Sequence, residues 1–533
     1  MRGRERLKLG LGIFLILAVS FLVRVEHFST LYPYFFYQDE LRQIEVSLKL
    51  LREKPLEPDF YLYPHLTIYL TSLAFAGYSF LKTLPQIVEQ RSFAPWFERI
   101  KSLTPTSREL LFLTRAMALI FGLAGVLGVW LLARRLLPEA FAFFASLIYA
   151  LLPLSVSFSH LAKVDIFMEC FVIYGWYFQL RLIEQGRARD YLASGLFASL
   201  SMDSKINFFP YISLVFASLI RASKEEQSLS QWLKDKRVWL AGAGSLIFAF
   251  LFSPYYYLNF SKALKMIGWI YFVSGFNSFY HIDPHHFWLD RYYYACLVLF
   301  PFLATPVLYL FFLFGLGERL IKNDYQEWFL LLINFFSFAY FFSSQAEGSY
   351  PIYLYMYIVP FFALFSARAL ELIWSRGWKK LSGAIAGVLI ILGLFQSQNY
   401  YALNFQAFDR MGEVLSRLPQ GSKVLGYSVY LPGPGLGGLN YLRAWPQNLH
   451  PEPVKNFNPD YILINRSDFA GFEKFYRELP IDDYLHQVLN GKWGYEVLVE
   501  HKVAYFGDWL YQALDREFII ELLLLKKKSN EEK

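Results

Sequence analysis

Cysteine is almost missing from this chain. Cys170 and Cys296 are the two present in 533 residues, and both lie inside apolar blocks. That excludes a disulfide framework and argues against a cysteine metal site. Charge is scarce as well: 18% of the residues are charged, against 55% hydrophobic. A soluble chain of this length would divide into several domains and carry more charge on their surfaces. A soluble enzyme, a disordered chain and a small secreted module are therefore excluded. No small-residue cleavage site follows the basic start, Met1-Arg-Gly-Arg-Glu-Arg-Leu-Lys8, and its apolar run to about Val25. This segment reads as a retained first span with a cytoplasmic N-terminus. The glycine-rich run Pro432-Gly-Pro-Gly-Leu-Gly-Gly438 lacks a P-loop lysine and a following helix, so it reads as a turn.

What the chain does have is a succession of apolar blocks of about 17–28 residues, enough to cross a hydrocarbon core of about 30 Å. After the first span they lie near Leu110–Ala133, Ala140–Phe158, Ile166–Leu182, Tyr191–Ile220, Val238–Tyr256, Tyr292–Leu316, Trp328–Phe342, Pro351–Leu372 and Leu381–Phe395. Tyr191–Ile220 is too long for one span and holds Asp203 and Lys205 at its middle, where a charge costs about 2.5–3.5 kcal/mol on the lenient insertion scale. A hairpin of two short spans with Lys205 at the turn avoids that cost and brings the count to eleven. Leu66–Leu84 is only moderately apolar, opens with a Tyr-Pro-His-Leu run and is rich in Ser and Thr. Left outside as an interfacial or re-entrant helix, it gives cytoplasmic loops with about nineteen basic residues, among them Arg134, Arg135 and Arg237. The short outer loops then hold four: Lys163, Lys205, Lys262 and Lys265. The positive-inside rule selects this threading. The net charge of +7 is accounted for by that loop bias, with no call for nucleic acid.

The fold expected is thus an all-α polytopic membrane protein of about eleven transmembrane helices over residues 1–397, with a long outer loop at 26–107. A C-terminal extracytoplasmic α/β domain follows over 398–533. Strands are expected at Lys423–Tyr430, Asp460–Ile464, Tyr495–Glu500 and Phe518–Leu525, and helices near Phe405–Leu418 and Phe469–Leu479.

With this threading the unusual polar residues gather at the outer face. They are Asp39 and Glu40 after the first span, His65, and Arg115 near the outer end of the second. His160 and Asp165 lie in the Ser159-His-Leu-Ala-Lys-Val-Asp165 segment, with Asp203 and Lys205 at the hairpin turn. His281-Ile-Asp-Pro-His-His286 and Glu347 complete the set. Ionisable groups at membrane depth are costly and point to function. Carboxylates can deprotonate a hydroxyl, while Lys205 and Arg115 can hold a phosphate and stabilise its departing charge. Asp165 also suits a helix N-terminus, so capping and function both fit it. His285 and His286 are neighbours, and such pairs seldom share one metal. The mixture fits group transfer from a lipid-linked phosphate donor.

In order and spacing, several segments over most of residues 1–400 resemble GT-C glycosyltransferases of the family 39 type. That family includes protein O-mannosyltransferases and relatives of the lipid A aminoarabinose transferases. Asp39-Glu-Leu-Arg42 resembles the family's Asp-Glu pair in the first outer loop, and Tyr61-Leu-Tyr-Pro-His-Leu-Thr-Ile-Tyr69 resembles the segment after it. His160–Asp165 resembles the second outer loop, Leu200-Ser-Met-Asp-Ser-Lys205 the Leu-Thr-Lys turn, and the run from Ser349 to Pro360 the late Tyr-x-Leu-Pro span. The resemblance implies a polyprenyl-phosphate-linked sugar donor, membrane lipids as surroundings, and Asp39 as catalytic base. Glu40 and Asp165 would assist, and Lys205, Arg115, His65, His160, Tyr63 and Glu347 would bind substrate. Tyr63 stands where aminoarabinose transferases have a lysine, which leaves the acceptor open between glycan, lipid and protein. His285 and His286 stand where some relatives have a metal-binding histidine, so a divalent metal ion also stays open. The location implied is a bacterial or archaeal plasma membrane. Two other readings share parts of this evidence: a lipid-linked glycan ligase or oligosaccharide transferase, and a transporter without chemistry. The latter predicts internal repeats, and none is evident.

Overall fold

The structure, a computed structural model, describes residues 2–26, 38–53, 56–268, 296, 300–322, 326–343, 356–401, 407–427, 439–444, 449, 451–465, 481–504 and 519–528. Helix α1 (Arg2–Glu26) is followed by α2 (Gln38–Glu53), α3 (Leu66–Gln90) and α4 (Ala94–Ser102). The bundle continues with α5 (Arg108–Ala133), α6 (Glu139–Leu151), α7 (Pro153–Phe158), α8 (Val164–Gln185), α9 (Ala188–Ser204) and α10 (Phe209–Lys224). Then come α11 (Leu229–Lys234), α12 (Lys236–Phe252), α13 (Pro254–Leu258) and α14 (Phe260–Gly268). Beyond lie α15 (Phe300–Ala304), α16 (Pro306–Ile321), α17 (Gln326–Ser343), α18 (Val359–Ser375) and α19 (Lys379–Tyr401).

Local chemistry explains the breaks. Leu152 is held extended before Pro153, because the proline ring disfavours helical geometry in the residue before it, so α6 and α7 separate there. Helix α8 ends at Gly186 in the left-handed region, the common glycine stop. The expected hairpin forms: α9 ends at Ser204, Lys205 is extended, and α10 restarts at Phe209 with Pro210 in its first turn. Leu66–Leu84 belongs to one continuous helix of 25 residues that runs through Pro85 to Gln90. It buries Thr67, Thr71, Ser72, Ser79 and Thr83; Ser72 and Thr83 donate back to carbonyls one turn earlier, which satisfies these two hydroxyls inside the helix. Helices α2 and α4 pack beside it, with Ile44, Leu48, Phe75 and Leu103 seated on Leu110 and Leu111 of α5.

Among the described residues, four helical stretches are long and apolar enough to cross a membrane: Arg108–Ala133, Val164–Gln185, Met356–Ser375 and Lys379–Ser397. Shorter apolar stretches are Leu9–Val25, Glu139–Leu151 and Glu327–Ala339. Ion pairs gather at the bundle's two ends. One end holds Arg135 with Glu184 (2.8 Å), Arg181 with Asp190 (2.8 Å), Arg237 with Glu225 (2.6 Å) and Arg368 with Glu318 (2.9 Å). The other holds the pairs made by Glu40 and Asp165. Apolar and aromatic side chains such as Trp176, Phe338, Phe361 and Phe365 fill much of the space between. An isolated charge there would be expensive, so the arginines and acids segregate to the ends.

The residues after 398 carry α20 (Ala407–Ser416), α21 (Pro451–Phe457), α22 (Ile481–Leu489) and five strands. The strands β1 (Lys423–Tyr427), β2 (Asn440–Ala444), β3 (Tyr461–Asn465), β4 (Tyr495–Ala504) and β5 (Ile519–Lys527) form one mixed sheet in the order β2-β1-β3-β5-β4. β1 runs parallel to β2 and β3, and β5 lies antiparallel between β3 and β4. The four expected strands are present. β2 is an additional edge strand, whose Asn440 and Arg443 dilute its apolar signal. Helices α21 and α22 likewise have no counterpart among the expected elements. The helix expected at Phe469–Leu479 and the Pro432–Gly438 turn lie outside the described residues.

The contact between α16 and α18 is tight enough to test. A Cβ on Gly315 would lie 2.0 Å from the Phe365 carbonyl oxygen, whereas one on Gly317 would meet open space. Gly315→Ala is expected to destabilise the detergent-solubilised protein by about 1–3 kcal/mol through overpacking. Gly317→Ala should be neutral or stabilising by up to about 1 kcal/mol from helix propensity. Thermal unfolding of the two variants beside the parent measures the contrast.

Candidate active site

Glu40 is the organising residue at this end. It lies in the first turns of α2 and is fully buried. Its carboxylate accepts from Arg115 Nε at 3.1 Å and Nη2 at 3.2 Å, a two-pronged pair with a side chain on α5 that is 1% exposed. The Ala162 amide, in the turn that leads into α8, donates to the same carboxylate at 2.9 Å. One acid thus joins three segments that are far apart in the chain. Asp39 precedes it in the same helical turn. The Asp39 side chain itself lies outside the described set.

The second acid is Asp165, in the first turn of α8, where the helix dipole favours negative charge. Its Oδ1 accepts from Lys205 Nζ at 2.5 Å, and Lys163 Nζ stands 3.8 Å from Oδ2. Two ammonium groups therefore converge on one carboxylate. Next to them a small, partly open cleft is lined by Arg42, Gln43, Phe60, Tyr63, Thr67, Ile68, Lys163 and Val164. The Arg42 guanidinium stacks 5.6 Å over the Phe60 ring, and its side chain is 56% exposed. The cleft thus offers cations, aromatic faces and an amide: groups that can hold an anion and the apolar face of a ring compound.

The two histidines of this region sit behind that wall. His65 is fully buried as the residue before α3. Its Nε2–H donates to the Phe60 carbonyl at 2.9 Å, and its backbone N–H donates to Ser253 Oγ at 3.1 Å. Tyr61, Tyr69 and Tyr256 meet its ring edge-on at 5.4, 6.0 and 5.6 Å. Burial holds its pKa down to about 4, so the ring is neutral at physiological pH. His160 is buried too, and its Nε2 is bonded to the backbone carbonyl of Arg24. Arg24 in turn donates to Ser155 Oγ at 2.9 Å, Ser159 Oγ at 3.0 Å and the Ala150 carbonyl at 2.9 Å. These bonds tie the end of α1 to the segment that leads into α8.

The structure thus brings together Glu40 with Arg115, Asp165 with Lys205, and Tyr63 with the cleft, and it places His65 and His160 behind them. Glu347, His285 and His286 lie outside the described residues. Among the described residues no group of three or more His, Cys, Asp or Glu is placed to hold a metal ion. Lys163 and Arg42 are absent from the expected catalytic and substrate-binding set, although each has a local signal. Lys163 stands two residues before Asp165, and Arg42 lies one helical turn beyond Asp39.

This architecture, with the Glu40 and Asp165 pairs at one end of the bundle and its small C-terminal sheet, is the fold of the GT-C glycosyltransferases. Residues 95–257 match the family model for dolichyl-phosphate-mannose-protein mannosyltransferase. The whole chain superposes on ArnT from Cupriavidus metallidurans bound to undecaprenyl phosphate, with a TM-score of 0.52 and 13% identity, covering 97% of each chain. It is also similar to the Archaeoglobus fulgidus oligosaccharyltransferase in complex with zinc and sulfate, with a TM-score of 0.51 and 12% identity over 89% of this chain and 70% of that one. A third similar structure is the archaeal oligosaccharyltransferase AglB of the same organism, in complex with an inhibitory peptide and a dolichol-phosphate. There the TM-score is 0.50 and the identity 12%, over 89% of this chain and 72% of that one. No curated protein gives a sequence match.

Two measurements test the site's construction. Glu40→Ala takes the carboxylate from Arg115 and the acceptor from the Ala162 amide, and is expected to cost about 3–5 kcal/mol of stability, as for breaking a buried pair. Arg115→Lys, which keeps the charge but loses the fork, should cost less. For His65 the unfolded chain binds a proton below about pH 6.5, whereas the folded protein refuses it until about pH 4. Stability should therefore fall as pH drops through that window. The melting temperature of His65→Gln in detergent should show a weaker decline between pH 7 and 5 than the parent.

Proposed function

We propose that the chain is an integral membrane glycosyltransferase that moves a sugar from a polyprenyl-phosphate donor to an acceptor on the extracytoplasmic face. The N-terminus would be cytoplasmic and the region from about residue 398 outside. The carrying observation is the cleft beside Lys163, Asp165 and Lys205, with Arg42 at its rim and Phe60 and Tyr63 along its wall. Its cations suit a phosphate and its aromatic faces suit a sugar ring. Neighbours of the same fold are seen with undecaprenyl phosphate and with a dolichol-phosphate.

In this reading the donor's prenyl chain lies between helices, its phosphate beside Lys163, Lys205 and Arg42, and its sugar towards Asp39. The acceptor oxygen attacks the anomeric carbon from the face opposite the phosphate. As that bond forms, Asp39 takes the acceptor's proton, and the bond from the anomeric carbon to the phosphate oxygen breaks. The electron pair leaves on the phosphate, where the cations stabilise it. One displacement inverts the anomeric centre. Arg115 faces Glu40 and contributes by fixing the start of α2, and with it the position of Asp39. Asp165 keeps the two lysines in place.

The test is transfer by the purified, detergent-solubilised protein from a labelled polyprenyl-phosphate monosaccharide, run beside a lipid-diphosphate oligosaccharide. Turnover is expected with the first. Transfer of the oligosaccharide alone would instead favour the reading suggested by the archaeal oligosaccharyltransferase likeness. Asp39→Asn should lower the rate by about 10²–10⁴-fold, the usual contribution of a general base. A near-parental rate would remove Asp39 from that role.

A further inference from the structure

Asp203 is a buried acid to which the proposed reaction gives no part. It occupies the last turn of α9, two residues before Lys205, and is fully buried. Its Oδ1 accepts from the Tyr257 hydroxyl at 2.8 Å. The Ser253 hydroxyl stands beside the same carboxylate. Ser253 Oγ is also the acceptor for the His65 backbone N–H. From His65 the path continues to the cleft: its Nε2–H is bonded to the Phe60 carbonyl, which closes residues 60–65 into a loop, and Phe60 and Tyr63 are the aromatic lining. Tyr256, next to Tyr257, packs edge-on against the His65 ring.

Lys205 does the complementary task on the other side. It is extended at the end of α9 and reaches Asp165, beside Lys163 and Val164, which form the opposite lining. The three residues 203–205 therefore hold one wall of the cleft through Asp203 and the other through Lys205. We propose that Asp203 is a positioning residue that sets the aromatic wall against the cationic wall and so fixes the width available to a sugar phosphate. The geometric part of this proposal stands without the glycosyltransferase reading; the identity of what fills the cleft rests on it.

The experiment uses the full chain with Cys296→Ser, leaving Cys170 buried, and Tyr63→Cys as a reporter of the wall. The rate of maleimide modification is measured in detergent, with Ala94→Cys at an exposed site on α4 as the reference. Asp203→Ala should speed modification at position 63 by about ten-fold or more, as expected when a wall is released to open locally. Asp203→Asn, which keeps an acceptor for Tyr257, should stay within about two-fold of the parent, and Tyr257→Phe should fall between them. The rate at position 94 should not change. Unaltered rates at position 63 in both Asp203→Ala and Tyr257→Phe would overturn the proposal. So would an equal rise at Cys170, which signals general unfolding. Undecaprenyl phosphate, added to the parent reporter, should slow its modification. A lack of protection would count against the lipid-phosphate reading and leave the positioning role of Asp203 standing on the variant rates.

Discussion

The buried pair of Glu40 and Arg115 is the constraint on which this end of the bundle depends. A carboxylate and a guanidinium taken out of water are stable only if every remaining lone pair and donor is met, and here the Ala162 amide supplies a further bond. Such a pair cannot slide. It fixes α2 against α5, and through Ala162 it fixes the turn that leads into α8. The start of α2 holds Asp39, and the start of α8 holds Asp165. The positions of the two acids are therefore set by a third, which itself faces away from solvent.

Around that pair the molecule divides its polar work. Neutral or backbone-bonded groups, namely His65, His160 and the hydroxyls of Ser155 and Ser159, stand behind the surface and hold segments together. Of the charged groups, Arg42 and Lys163 line the cleft, and Lys205 stands beside it through Asp165. The result is a cationic and aromatic recess on a rigid base.

Much of the architecture was legible in the sequence, because the cost of placing charge in hydrocarbon writes itself into local composition. The apolar blocks, the hairpin turning at Lys205 and the four main strands of the terminal region are of this kind. So is the gathering of acids and bases at one end. What was not legible depends on pairing across long separations. Nothing near Glu40 announces that its partner is Arg115, 75 positions away, or that Arg115 would present two of its N–H groups to an acid. His65 and His160 look like ligand-binding side chains until their backbone partners, Phe60 and Arg24, are known. β2 is short and half polar, and it is recognisable only once β1 lies beside it. Lys163 was visible as a charge against the loop bias, yet its place in the cleft comes from the turn that Glu40 pins.

The hairpin formed by α9 and α10 has one more consequence. With 17 and 16 residues, these helices reach only about 25 Å at 1.5 Å per residue, less than the hydrocarbon thickness of about 30 Å. A hydrophobic segment that falls short is met by thinning of the lipid layer or by a dip in its surface. By that rule a bilayer around Lys205, at the crest of the hairpin, would have to thin or dip to match two such short helices.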